Sequence, residues 1–139
     1  EDRRFYEHSG VDLRSIVRAA AVDISHGQVV EGGSTITQQL VKNLYTGDAQ
    51  SLRRKIEEAA LAMQMEQRYT KDEILTMYLN TVYFGEGAYG IEAAAETYFG
   101  IHASDLTLSR SAMLAGLITS PNHFDPFVRP DSARGRRDT

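Results

Sequence analysis

Carboxylates, amides and a few basic groups carry the chemistry open to this chain. Its opening segment, Glu1 to Gly10, sets Glu1 and Asp2 beside Arg3, Arg4, His8 and the aromatics Phe5 and Tyr6. A carboxylate desolvated by aromatics has its pKa raised, which suits a general acid or base; the alternative is an ordinary solvated chain start. Gly32-Gly33-Ser34-Thr35-Ile36-Thr37-Gln38-Gln39-Leu40-Val41-Lys42-Asn43 is more unusual. Two glycines leading into a hydroxyl-rich helix start offer backbone N–H groups and a positive dipole end, a basis for holding phosphate. Gln38 and Lys42 share one face and Gln39 and Asn43 the next. The plainer reading is an N-cap and a polar helix surface. Arg53-Arg54-Lys55 crowds three cations into a first helical turn, against the dipole, with Glu57 and Glu58 behind. Arg54 and Glu58 are spaced for an i,i+4 salt bridge, and Ala59 and Leu61 predict partial burial of Glu58, which then needs a partner or a function. Asn80 is a poor choice inside a helix, and it stands just ahead of a glycine-rich stretch that it either ties down or serves functionally.

Other chemistries are excluded. The 139 residues include no cysteine, so thiolate catalysis, disulfides and cysteine-based metal sites are out. No G-x-x-x-x-G-K-[ST], H-E-x-x-H or G-x-S-x-G pattern occurs. His8, His26, His102 and His123 are far apart and carry no ligand spacing, so a pure histidine zinc site is not expected. A net charge of −4 argues against nucleic acid as a partner. No apolar stretch reaches the length of a membrane span. The chain opens on Glu1 without an initiator Met, and the expectation is a piece of a longer protein.

The elements that must position these residues read as helices. Apolar residues at 42% with 24% charged are globular proportions, and the prolines, Pro121, Pro126 and Pro130, all fall late. Asp12 caps a predicted helix through Leu13, Ile16, Val17, Ala20, Ala21 and Ile24 that ends at Gly27. Ile36, Leu40 and Leu44 mark a second, closed at Gly47. From Ser51, Leu52, Ile56, Ala59, Ala60 and Met63 predict the inward face of a third. Thr70 and Glu73 form a capping box before Ile74, Leu75, Tyr78, Leu79 and Val82. Gly85, Gly87 and Gly90 make a loop. Ile91 to Tyr98 is a short helix stopped by Gly100, and Thr107 to Ile118 is another, with Leu108, Ala112, Ala115 and Leu117 predicted inward. Arg134-Gly135-Arg136-Arg137 closes the chain as a basic tail. Met63, Met65, Met77 and Met113 read as core or groove filler. The expected fold is all-α, five or six irregularly packed helices in one domain, 1–139.

Together these segments resemble the peptidoglycan glycosyltransferase (transglycosylase) domain of class A penicillin-binding proteins and their monofunctional relatives. Five motifs stand in the family's order. Glu1 to Gly10 is similar to E-D-x-x-F-x-x-H-x-G, and Gly32 to Asn43 to G-G-S-T-I-T-Q-Q-x-x-K-N. Arg54 to Glu58 resembles R-K-x-x-E. Tyr78 to Gly100 carries Y-L-N-x-x-Y-F-G and a later Y-F-G, and Leu106 to Pro126 resembles the fifth. A single R-K-x-x-E is weak; five ordered motifs are specific.

The resemblance implies a lysozyme-like helical domain, two lobes about a cleft, with a jaw subregion facing the membrane. It implies polymerisation of lipid II into β-1,4-linked glycan strands at the extracytoplasmic face of the bacterial plasma membrane, the parent protein anchored by an N-terminal helix. Undecaprenyl pyrophosphate is released and the anomeric centre inverted. In that reading Glu1 is the general base, and Glu58 serves at the pyrophosphate, directly or through a divalent metal ion. Gln38, Gln39, Lys42, Arg54 and Lys55 bind or support the phosphates, and Asn80 shapes the cleft. Mg²⁺ or Mn²⁺ is the implied cofactor. The growing glycan strand, the membrane surface and other cell-wall synthesis or division proteins are the implied partners. Glu57, Gln50, Ile101 and Arg110 depart from the family's usual residues, which implies altered substrate binding rather than loss of activity. A lysozyme-like hydrolase and a non-catalytic lipid II-binding or scaffold module are the competing readings. The first lacks a use for the amides and cations after Gly33, and the second has none for both glutamates.

Overall fold

A computed structural model of the chain describes residues 2–12, 34–46 and 52–139. The predicted helix between Asp12 and Gly27 lies outside the described residues, as do Glu1, Gly32, Gly33, Gly47, Gln50 and Ser51. The described residues are helical, with no strand beyond two isolated bridges, Ser9 with Val11 and Tyr83 with Tyr89. The chain divides into two compact units, Glu1–Tyr78 and Leu79–Thr139.

In the first unit, a 3₁₀ turn at Phe5–Glu7 follows the chain start. Helix α1 is Ile36–Val41, α2 is Leu52–Arg68, and α3, Lys71–Thr81, begins here. The capping box predicted for α3 is present: Thr70 N–H donates to Glu73 Oε2 (2.8 Å) and Glu73 N–H to Thr70 Oγ1 (3.3 Å). Leu40, Val41, Ala62, Met65 and Ile74 are buried. Two expectations need correction. Helix α1 does not carry its apolar face on to Leu44, because from Lys42 to Thr46 it widens into a π turn. A wider turn puts more residues in each revolution, so Leu44 no longer stacks over Leu40 and is exposed. In α2 the apolar positions Ile56 (63% exposed) and Met63 (51%) point outward, and the inward row is Glu58, Ala62 and Met65. A carboxylate, rather than the apolar stripe, selects the face that α2 turns inward.

The second unit opens with a tight loop. Phe84 N–H donates to Ala88 O (2.9 Å) and Gly90 N–H to Val82 O (2.9 Å). The Phe84 ring is fully buried, and its carbonyl accepts from Tyr98 Oη (2.9 Å). Burial first, then the nearby Asp125 carboxylate, pushes the Tyr98 phenol up to about 12. Helix α4 is Ile91–Phe99, ended as expected by Gly100 in the left-handed region (φ +66°). Helix α5 is Leu108–Leu117, capped by Thr107, which accepts from Arg110 N–H. Its buried residues are Leu114 and Leu117, whereas Leu108, expected inward, is 87% exposed and Ala115 is also exposed. Leu108 stands at the first helical position, nearly two turns before buried Leu114. The basic segment expected as a tail is helical: α6 runs Pro130–Arg137 and packs against α5. Proline at the first position, Asp131 in the first turn and arginines in the last all suit a helix and its dipole. Buried Ala133 and the Arg136 stem over Gly116 complete that contact. Among the described residues no helix is long and apolar enough to cross a membrane.

The loop rests on Gly90. Its φ of +85° and ψ of 157° are essentially reserved for glycine, and a Cβ there would lie 2.6 Å from the Asn80 carbonyl oxygen. Gly87, at φ +75°, faces open space. Gly90→Ala is therefore expected to cost about 3 kcal/mol or more, strain plus backbone collision, and Gly87→Ala about 1 kcal/mol. Chemical denaturation of the two variants beside the parent chain checks the order.

Candidate functional site

The start of α1 is built from side chains on both sides of it. Thr35, extended and buried, is the N-cap, and its hydroxyl oxygen accepts from Gln38 N–H (3.1 Å) while Gln38 Oε1 accepts from Thr35 N–H (2.9 Å). Thr35 Oγ1 donates in turn to the Gly10 carbonyl (2.6 Å), tying the first motif to the second. Asp2 reinforces the tie: its Oδ2 accepts from Ile36 N–H (3.2 Å) and its two oxygens face His8 Nε2 (2.9 and 3.1 Å). Arg4 clamps Asp12 through both carboxylate oxygens (2.8 and 2.5 Å), which holds the segment's other end. The α1 amides at Ile36 and Gln38 are thus used within the chain, which favours the N-cap reading of this helix start over direct phosphate capture.

The second cluster centres on Glu58, 1% exposed on the inward face of α2. Arg54 Nε lies 3.0 Å from Glu58 Oε1, the predicted i,i+4 pair, and Lys55 Nζ lies 3.2 Å from Oε2. Lys55 also donates to Ser34 Oγ (2.5 Å), so the third motif touches the residue that precedes the α1 cap. The Arg54 side chain is 14% exposed and that of Lys55 47%, which leaves Lys55 the more accessible cation. Among the described residues, two cations flank one buried carboxylate, which offsets the cost of burying its charge.

The remaining predicted residues fall as follows. Gln38 is buried and serves the capping box. Gln39 accepts from Tyr78 Oη through Oε1 (2.9 Å) and reaches the Ser34 carbonyl through Nε2 (3.4 Å). Lys42 is half-buried at the end of α1, where its backbone N–H meets the carbonyls of Gln38 and Gln39. Gln38, Gln39, Lys55 and Glu58 therefore surround one helix start with Ser34 and Thr35. Asn80 is exposed in the second unit, its backbone against Gly90. Glu1, the predicted general base, lies outside the described residues.

Sequence reasoning passed over several contributors. Thr35 and Asp2 sit inside motifs, but nothing in their types announced that they would bond across to Gly10 and Ile36. Buried Thr37 donates to Glu66 Oε1 (2.6 Å), which also meets Lys71 Nζ (2.8 Å), and Lys71 lies over the Phe5 ring (4.3 Å). Glu66 carries no local signal; only packing of α1 on α2 brings it to Thr37. As a divalent-ion ligand Glu58 fits poorly, because both oxygens already face cations and an ion bound there would have to displace one.

The chain belongs to the transglycosylase family, whose model matches residues 1–139. It is 50% identical to penicillin-binding protein 1A of Aquifex aeolicus over 137 residues, 99% of this chain and 19% of that protein. It is 48% identical to penicillin-binding protein 1F of Bacillus subtilis over 139 residues, 100% of this chain and 20% of that protein. Penicillin-binding protein 1A of Escherichia coli is 50% identical over 137 residues, 99% of this chain and 16% of that protein. The chain thus spans about a fifth of the length of the relatives it matches.

Thr35 does two jobs with one oxygen. Thr35→Ala is expected to cost about 2 kcal/mol, the loss of an N-cap together with a buried carbonyl left without its donor. Thr35→Ser should recover most of that loss. Urea unfolding followed by circular dichroism reads both.

Proposed function

We propose that this chain is the glycosyltransferase module of a peptidoglycan synthase, polymerising lipid II into β-1,4-linked glycan strands. The observation that carries the reading is the Ser34–Lys55–Glu58–Arg54 cluster beside the capped start of α1, in a chain that belongs to the transglycosylase family. A neutral glycan has no use for such a cluster; a pyrophosphate-linked sugar does, since departing pyrophosphate accumulates negative charge in the transition state. Lys55, half-exposed and anchored on Ser34 and Glu58, is the cation best placed to meet a phosphate oxygen. Arg54 holds Glu58, and Glu58 keeps both cations in register. Gln38 and Gln39 act by fixing the helix start, and Lys42 adds a charge one turn on.

In this reading Glu1 takes the proton from the acceptor's 4-hydroxyl as that oxygen attacks the donor's anomeric carbon. The C–O bond to pyrophosphate breaks on the opposite face, the electron pair leaves with undecaprenyl pyrophosphate, and the α-linked donor becomes a β-linked product. One displacement inverts the centre and needs no glycosyl-enzyme bond, unlike a retaining glycosidase. Asn80 shapes the cleft. Mg²⁺ or Mn²⁺, where required, belongs with the phosphate oxygens of the substrate rather than on Glu58, whose oxygens are committed. The site of action is the extracytoplasmic face of the bacterial plasma membrane, with a jaw subregion against the lipid and an anchoring helix in the parent protein. Other cell-wall synthesis or division proteins are its partners there.

Labelled lipid II in mild detergent with Mg²⁺ tests the reading. Polymer is expected from the parent chain, and Glu1→Gln should lower the rate at least about a hundredfold, the contribution of a general base. Glu58→Gln should abolish most activity and also lower stability by about 2 kcal/mol, because it removes the buried charge that Arg54 and Lys55 both face. Lipid II bound but never joined by the parent chain would reject the transferase in favour of a binding module, and cleavage of preformed glycan would favour a hydrolase.

A further inference from the structure

We propose that Glu92, Glu96 and His102 form a second, independent binding site, for a single divalent ion of the zinc type. Each of the three offers a ligand atom, and these atoms lie within 4.8 Å of one another. The arrangement is not a chance acidic patch. Glu92 and Glu96 are one turn apart on the same face of α4. The left-handed Gly100 reverses the chain, and His102 returns over that face so that its Nδ1 stands 2.7 Å from Glu92 Oε1. The other Glu92 oxygen accepts the Ala103 N–H (2.9 Å), which begins the 3₁₀ turn Ala103–Asp105. One carboxylate oxygen is thereby held by the backbone while the other faces His102 Nδ1, the contact that a shared metal ion would replace; backbone anchoring of this kind is the outer support that metal-binding carboxylates receive.

The donor set selects the ion. One imidazole nitrogen and two carboxylates suit Zn²⁺ and its neighbours in the first transition row, with water completing the shell. Mg²⁺ prefers oxygen donors and is the wrong match for an imidazole. Zinc at about 2.0–2.2 Å from nitrogen and oxygen needs its ligand atoms about 3.3 Å apart in a tetrahedron. Opening the 2.7 Å contact by about half an ångström, with zinc replacing the proton between His102 and Glu92, meets that need. These side chains are exposed, so such an adjustment disturbs no core.

Proton and metal compete for the same nitrogen. The hydrogen bond from Glu92, then its charge, raises the His102 pKa above its usual value, with smaller contributions from Glu96 and Asp105. The raised His102 contributes stability below its unfolded value of about 6.5 and loses it as pH rises through the folded value, whereas Glu92, lowered by His102, holds its share until pH falls through its own folded value.

Isothermal titration of the whole chain with Zn²⁺ at pH 8, beside Mg²⁺, decides the matter. One saturable zinc equivalent is expected, weakened at least about tenfold by His102→Ala and by Glu96→Gln and unchanged by His123→Ala. Zinc should raise the melting temperature of the parent chain and not of the first two variants. Each variant's own melting temperature without metal is the baseline for its zinc shift. No saturable zinc uptake, or uptake that survives both His102→Ala and Glu96→Gln, would overturn the proposal and leave Glu92–His102 a hydrogen-bonded pair alone.

Discussion

A carboxylate taken out of water must be paid back in charge and hydrogen bonds, and Glu58 imposes that condition on the first unit. At 1% exposure it cannot remain ionised without cations close by. Arg54 and Lys55, one turn earlier on the same helix, meet it. In α2, Glu58, Ala62 and Met65 turn inward, and the more apolar Ile56 and Met63 turn out. An ordinary amphipathic helix makes the opposite choice. Replacing a buried ion cluster by apolar side chains is often neutral or stabilising, so stability alone does not account for retaining this one. Under the proposed function, in which the substrate is a pyrophosphate-linked sugar, preorganised cations at fixed distances account for it, since they need no rearrangement when charge develops.

The same economy governs the start of α1. Its amides could have been left open, yet Thr35 and Asp2 take them up and carry the link on to Gly10 and His8. The result is a rigid corner where the first, second and third motifs touch: Asp2 and Gly10 from the first, Ser34 to Gln38 from the second, Lys55 from the third. For the proposed reaction, positioning of this kind is where small shifts in geometry are most costly. Residues that never touch substrate can thus matter to the reaction through the corner they hold.

The second unit uses different means. A glycine-only conformation at Gly90, a buried Phe84 ring and the Tyr98 hydroxyl on the Phe84 carbonyl hold its loop. Arginine stems and a small alanine hold α6 on α5. Histidine and glutamate close the end of α4 on its surface, where the contact is responsive to pH and open to metal.

Local patterns are what the sequence by itself determined. The capping box of Thr70 and Glu73, the stop at Gly100, the loop of Gly85 to Gly90 and the Arg54–Glu58 spacing depend on residues within a few positions of each other, so their physics is complete in a short window. The all-α class and the family follow from such windows taken in order. Burial was decided only by the tertiary structure, because it depends on what arrives from elsewhere in the chain. Leu108 and Ile56 are apolar and periodic, yet face water. The basic segment after Pro130 becomes a helix once Gly116 and Ala133 let it lie against α5. The return of His102 onto Glu92, the junction of Lys55 with Ser34 and the reach of Thr37 to Glu66 all join residues ten or more positions apart. No propensity or spacing rule encodes those distances; they exist only after the helices have packed.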